Sequence, residues 1–264
     1  MATLLSAAAR RLEGKVALIT GGARGIGEYT ARLFSKHGAK LVIADVQDDL
    51  GLSVCKDLSD SSSYVHCDVT KEKDVENAVN TAVSKYGKLD IMFNNAGIID
   101  GPASSIADSE KSVFEKVIGV NLVGSFLGTK YAARVMIPRG KGSIISTASV
   151  SGIMGGVGTC AYICSKHGVI GLMKNAAVDL GRYGIRVNCV SPYAVPTPMT
   201  RTFLKMDDEG IAELYSNLKG TALAAQDIAE AVLYLGSEES KYVSGHNLVV
   251  DGGYSVLNAG LSNY

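Results

Sequence analysis

The segment that most constrains this chain is Thr20-Gly21-Gly22-Ala23-Arg24-Gly25-Ile26-Gly27, which joins a short apolar run, Val16 to Thr20, to an amphipathic stretch from Ile26 to His37. A brief apolar run, a glycine turn and then a helical period read as strand, turn and helix. Glycine is needed at such a turn because a Cβ would block the approach of a phosphate to backbone N–H groups and to the helix N-terminus. Three residues separate Gly21 from Gly25, a looser spacing than G-x-G-x-x-G, so a tight structural turn is the competing reading. The flanking strand and helix favour the phosphate.

The same unit recurs along the chain. Leu41 to Asp45 reads as a second strand and Gln47 to Leu58 as its helix, and Tyr64 to Cys67 followed by Val75 to Tyr86 repeats the pattern. Leu89 to Phe93, Ser143 to Thr147, Ile185 to Val190 and His246 to Val250 complete a set of about seven strands. Strands apolar on both faces and separated by helices predict an α/β fold, a doubly wound parallel sheet with helices on both sides and right-handed crossovers. No Pro/Ser-rich linker interrupts residues 1–264, and 47% hydrophobic residues in 264 suffice for one large core, so a single domain is expected.

Composition excludes several classes. With 26 basic and 26 acidic residues the chain offers no net attraction to nucleic acid or anionic lipid. No apolar run reaches the roughly 18 residues needed to span a bilayer. Cys55, Cys67, Cys160, Cys164 and Cys189 form no C-x-x-C pair and no grouping with the four histidines, which points to a reducing compartment, the cytoplasm, and to no metal. Residues 1–11 read as a flexible terminus, with a transit-peptide remnant as the alternative for a segment carrying Ser6, Arg10 and Arg11.

In doubly wound sheets ligands bind beyond the carboxyl ends of the strands, so the strand tails hold the candidates. Asp45, eighteen residues past Gly27, can accept hydrogen bonds from adenosine ribose hydroxyls. Its charge repels a 2′-phosphate and selects NAD over NADP; Arg24 is the cation that would have to compensate. Asp68 can accept from an adenine amino group or cap the helix that begins near Lys71, and the two roles are compatible. Asn95 and Gly97 end the fourth strand, where small residues allow a close approach of backbone to a ribose. Tyr162 and Lys166 lie four apart, on one face of a helix, thirteen residues after Ser149. An ammonium beneath the ring would lower the phenol from its ordinary pKa of about 10 and make it a usable general base.

These pieces, T-G-x-x-x-G-x-G at Thr20 to Gly27, N-N-A-G at Asn94 to Gly97, Asn121, Ser149, Y-x-x-x-K at Tyr162 to Lys166, then Asn188, Pro192 and Thr197, resemble the NAD(H)-dependent short-chain dehydrogenases/reductases from Leu12 to about Asn258. Within that family the chain is similar to plant enzymes of specialised metabolism of the borneol, isopiperitenol, secoisolariciresinol and nepetalactol-related types. The resemblance implies that Tyr162 is the base in alcohol oxidation, that Lys166 lowers its pKa and holds the nicotinamide ribose, that Ser149 fixes the substrate oxygen, and that Asn121 anchors a proton-relaying water. Asn121 as a helix-bending polar core residue is the alternative. The cofactor contacts it implies fall on Gly21, Arg24, Gly25, Ile26, Gly27, Asp45, Asp68, Val69, Asn95, Gly97, Tyr162, Lys166, Val195 and Thr197. Two positions depart from the family: Tyr193 replaces a glycine after Pro192, and Cys160 stands where many plant relatives have histidine.

Residues 196–219 lose sheet periodicity and offer Met199, Phe203, Leu204, Met206, Leu214 and Tyr215, where the family places a substrate lid. Apolar side chains with flexible methionines, and no cation placed for a carboxylate or phosphate, suit a small hydrophobic guest. The expectation is oxidation of a hydrophobic cyclic secondary alcohol or lactol, such as a monoterpenoid or iridoid, to the ketone or lactone. A non-redox terpenoid cyclase with structurally bound NAD and a lignan or diterpenoid alcohol dehydrogenase are the alternatives. The resemblance also implies a homotetramer or homodimer, with Val256 to Leu261 in a contact.

Overall fold

The computed structural model describes residues 10–58, 61–101, 105–214, 218 and 220–256. Seven strands form one parallel sheet: β1 (Val16–Thr20), β2 (Lys40–Asp45), β3 (Ser62–His66), β4 (Ile91–Asn94), β5 (Gly142–Thr147), β6 (Ile185–Pro192) and β7 (Asn247–Val250), in the order β3-β2-β1-β4-β5-β6-β7. The order reverses between β1 and β4, the switch point beyond whose carboxyl strand ends ligands bind in such sheets. The predicted strands differ from these by one or two residues at their ends.

Alternation explains why the strand runs read as unbroken apolar segments. Val16 and Leu18 of β1 face one core while Ala17 and Ile19 face the other. The first core is closed by α3 (Glu72–Tyr86), α5 (Gly124–Met136) and α6 (Cys160–Gly181), through Val79, Leu127, Val169 and Met173. The second is closed by α1 (Gly25–Lys36) and α9 (Ala225–Gly236), which pack on each other through Phe34, Ile228 and Val232. Between β2 and β3 lies α2 (Asp48–Leu58), against β3.

After β4 the chain runs through α4 (Lys111–Ile118), a π-helical turn at Gly119–Val123 and then α5. After β6 come α7 (Pro198–Leu204) and α8 (Asp208–Glu213) before α9. Arg201 of α7 grips Asp208 of α8 with two nitrogens, at 2.5 and 3.0 Å, across a left-handed Lys205. The expected lid is therefore a short helical pair; Tyr215 and the tail 257–261 lie outside the described residues.

Residues 1–9 also lie outside the described residues, whereas the last two residues of the expected flexible terminus are held. Arg11 pairs with Glu239 at 2.5 Å and Leu12 is fully buried. Among the described residues all five cysteines are free thiols, and no helix is long and apolar enough to cross a membrane. Phe34→Ala should cost about 3–5 kcal/mol by emptying the space between α1, α9 and β4. Urea denaturation measures it, and a loss below about 1 kcal/mol would show that the α1 face carries little of the core.

Candidate active site

Ile19 pairs level with Phe93, and Phe93 with Ile145, so Gly21, Asn95 and Thr147 leave the sheet side by side. The glycine turn begins there. Gly21 and Gly25 have φ of 63° and 58°, the left-handed region that favours glycine, and a Cβ on Gly27 would collide with the Gly21 carbonyl. Arg24, extended and exposed, starts α1 without a side-chain cap and makes no ion pair among the described residues. The N–H groups of the first helical turn are thus left without a side-chain acceptor, an arrangement suited to a pyrophosphate. Ile26 packs its side chain on the second core. Thr197, which caps α7, lies 3.6 Å from where a Gly25 Cβ would stand, so the base of the expected lid abuts the turn, and Val195 beside it is buried.

Asp45 is buried at the end of β2. One carboxylate oxygen accepts the Ala23 N–H at 3.0 Å, and the other accepts the Gln47 N–H and its side-chain amide, both at 3.1 Å. The residue expected to meet a ribose also shapes the turn that receives the phosphates. Asp68 accepts the Thr70 N–H and hydroxyl at 3.0 and 2.7 Å, and these hold its carboxyl below the usual range. It braces the loop before α3, whose N-cap position is Lys71. Val69 packs its side chain against Gly124, which leaves only its backbone for a ligand.

The structure corrects the reading of Asn95 as merely a small residue at the strand end. Its side-chain amide donates to the Thr20 and Gly21 carbonyls at 3.2 and 3.1 Å, and its oxygen accepts the Thr147 hydroxyl at 3.1 Å. Asn95 ties the ends of β1, β4 and β5 together. Gly97 supplies the open approach, bordered by Asn121 and the Lys166 ammonium.

Asn121 is buried inside the π-helical turn and bridges three elements. It accepts from the Ile98 N–H at 2.8 Å and donates to the Ile98 carbonyl and the Ser165 hydroxyl at 2.9 and 3.0 Å. The helix-bending alternative describes this geometry. Such turns displace the backbone locally and occur often at functional sites.

Thr159 caps α6 through the Tyr162 N–H and donates its hydroxyl to Asp100, and α6 then presents Tyr162 and Lys166 on one face. The Lys166 ammonium stands 5.4 Å from the centroid of the Tyr162 ring and donates to the Thr147 carbonyl at 2.7 Å. Ser149, extended just beyond β5, accepts the Ser151 N–H at 3.1 Å and lies close enough to the Tyr162 phenol to oppose the rise in its pKa. Serine, phenol and ammonium are therefore assembled together.

The expected fall in the Tyr162 pKa is absent in the chain by itself. Burial pushes the phenol up to about 12, against the opposing pull of Ser149, and the same burial lowers Lys166 to about 8. Removal from water disfavours both charges, and the ammonium lies over the ring with a proton committed to a carbonyl.

Sequence reasoning missed Thr147, Thr20 and Gln47, which act through backbone atoms or through another residue. Thr159 carried a signal, a cap-type residue three before Tyr162. The departure at Tyr193 resolves simply. Lys205 is the single non-glycine residue with positive φ among the described residues, so the path after Pro192 needs no glycine. Tyr193 stacks on Tyr254 at 4.1 Å.

A glycine turn at a switch point, a ribose-level carboxylate and a buried serine, tyrosine and lysine define a dinucleotide-dependent oxidoreductase acting on the alcohol and carbonyl pair. Comparison with known proteins agrees. The family model described as Enoyl-(Acyl carrier protein) reductase matches residues 21–255. Borneol dehydrogenase, mitochondrial, of Lavandula x intermedia is 64% identical, with 99% of this chain and 98% of the relative covered. Secoisolariciresinol dehydrogenase of Forsythia intermedia is 58% identical, with 97% and 94% covered. Levodione reductase superposes with a TM-score of 0.87 at 34% identity, over 94% of this chain and all of that one. A 3-ketoacyl-(acyl-carrier-protein) reductase from Brucella melitensis complexed with NADH gives 0.85 at 35%, over 92% and 99%. The chain belongs to the short-chain dehydrogenase/reductase family, and its cofactor is a nicotinamide dinucleotide.

The depressed Lys166 pKa has a consequence for stability. Between pH 8 and the model-compound value of 10.5 the unfolded chain holds a proton that the folded chain has released, so this group makes stability rise with pH across that window. Lys166→Met should remove the rise, measured by urea denaturation of the cofactor-free protein at pH 7.5 to 10; an unchanged pH profile would contradict the burial assigned to the ammonium.

Proposed function

We propose that this chain is an NAD-dependent dehydrogenase that oxidises a hydrophobic cyclic secondary alcohol or lactol, of the monoterpenoid or iridoid kind, to the ketone or lactone. The observation that carries the reading is the Ser149, Tyr162 and Lys166 assembly beside the glycine turn. The residues suit a dinucleotide: Gly21 and Gly25 take left-handed backbone, α1 begins without a side-chain cap, and Gly97 leaves room beside Lys166. The turn would hold the pyrophosphate, Asp45 the adenosine ribose and Lys166 the nicotinamide ribose. The bound dinucleotide supplies a hydride acceptor.

Ser149 orients the substrate hydroxyl toward Tyr162, whose phenolic oxygen takes the proton. Lys166 stabilises the phenolate, and Asn121, through Ile98 and Ser165, holds the strand-four loop and α6 in register. A buried phenol with a pKa raised by desolvation ionises less readily at neutral pH, so oxidation should accelerate as pH rises.

NAD is favoured over NADP because the buried Asp45 carboxylate would face a 2′-phosphate. Apolar Met199, Phe203 and Leu204 on α7 suit a hydrophobic guest, in line with the borneol and secoisolariciresinol named for the relatives. The reading includes assembly as a homotetramer or homodimer through the π-helical turn, α5 and α6, where Val123, Phe126 and Val178 respectively are exposed. It also keeps the cytoplasm as compartment; the Lavandula relative carries the name mitochondrial, and imaging of a fluorescent fusion decides.

Terpenoid and lignan alcohols assayed at 340 nm with NAD and NADP test the reading together. Product formation without reduced cofactor would replace oxidation by cyclisation. Tyr162→Phe should lower kcat at least about 100-fold while NAD binding persists, and Ser149→Ala should lower it about 100- to 1,000-fold. Asp45→Ser should raise the NADP to NAD preference by at least tenfold; an unchanged ratio would remove Asp45 as the discriminator.

A further inference from the structure

At the opposite end of the sheet from the glycine turn, where β1, β4, β5 and β6 begin, lies a cavity of about 110 Å³ lined by Lys15, Lys141, Arg186, Lys241, Asp90 and Glu238 among others. It belongs to no part of the candidate active site. Four cations face two carboxylates, and both carboxylates are already engaged. One oxygen of Glu238 accepts from Lys15 at 2.6 Å and from Lys141 at 2.8 Å. Asp90, buried, accepts the Val16 N–H at 2.9 Å and is approached by two further cations, Lys88 at 2.8 Å and Arg139 at 3.5 Å.

The remaining cations form no ion pair among the described residues, and Glu238 acts on Arg186 only from beyond 4.0 Å. Arg186 donates to the Ser240 hydroxyl at 2.8 Å and the Ser237 carbonyl at 3.2 Å, both neutral, and among the described residues no carboxylate lies within 4.0 Å of Arg186 or Lys241. Half-buried arginine without a carboxylate is costly unless an anion completes it. The local potential is positive enough to hold the Glu238 carboxyl down at about 2, through its hydrogen bonds from Lys141 and Lys15.

We propose that this cavity is a binding site for a small oxyanion of multiple charge, a phosphate group, held by Arg186, Lys241, Lys15 and Lys141. Guanidinium and ammonium groups together recognise phosphate, the first by its planar fork and the second as point charges. The volume corresponds to about four waters, at roughly 30 Å³ each, which fits a phosphate. Inorganic phosphate and the terminal group of a small phosphomonoester share this chemistry.

Isothermal titration calorimetry on the NAD-saturated protein tests it, because bound dinucleotide keeps phosphate from the glycine turn. Inorganic phosphate and glycerol phosphate are titrated separately at constant ionic strength set with chloride. One equivalent of either should bind, and whichever binds tighter identifies the source. Lys241→Glu and Lys141→Glu, both at exposed positions, should each weaken binding at least tenfold while NAD affinity and turnover stay unchanged. Arg186→Gln should do the same, with circular dichroism confirming its fold. Heat no greater than that of chloride, or binding by both lysine variants as tight as by the unaltered protein, would overturn the site.

Discussion

One side chain, the Asn95 amide, joins the cofactor half of this site to its chemical half. It holds the Thr20 and Gly21 carbonyls on one side and the Thr147 hydroxyl on the other. Thr147 in turn offers its carbonyl to Lys166, which underlies Tyr162. A displacement of β4 relative to β1 or β5 would therefore change the glycine turn and the phenol together. Parallel strands ending at one level make such a short chain of contacts possible, since three residues from distant parts of the sequence leave the sheet as neighbours.

Burial then sets the electrostatics. The same exclusion of water that makes each charge near Tyr162 influential also opposes ionisation of the phenol and protonation of Lys166. The phenol is thus poised rather than already ionised. On the proposed reading, a proton leaves the substrate only where the phenolate is stabilised at the moment of reaction, which would tie the chemistry to a correctly filled cofactor site. At the opposite end of the sheet the charges themselves are unbalanced, with cations in excess of carboxylates around a small cavity.

Much of the architecture was legible in the sequence because a parallel sheet buried on both faces leaves a strong mark. The run Val16 to Thr20 is apolar at positions that face two different cores. The glycine turn, Ser149, Tyr162 and Lys166 were legible through residue type and spacing, and their convergence followed from the strand-end rule. Harder to read were residues that work through backbone or through one another. Thr147 matters for its carbonyl, Gln47 for holding Asp45, and Asn95 for a cross-brace that spacing cannot reveal.

By itself the sequence determined the layer architecture, the glycine turn and the candidate reacting side chains, since periodicity, glycine and a four-residue helical spacing are local properties of the chain. Only the tertiary structure decided the ionisation preference of Tyr162 and Lys166, the absence of any need for glycine at Tyr193, and the cationic cavity at the far end of the sheet. Those depend on which groups are removed from water together, and desolvation is a property of the packed molecule rather than of neighbours along the chain.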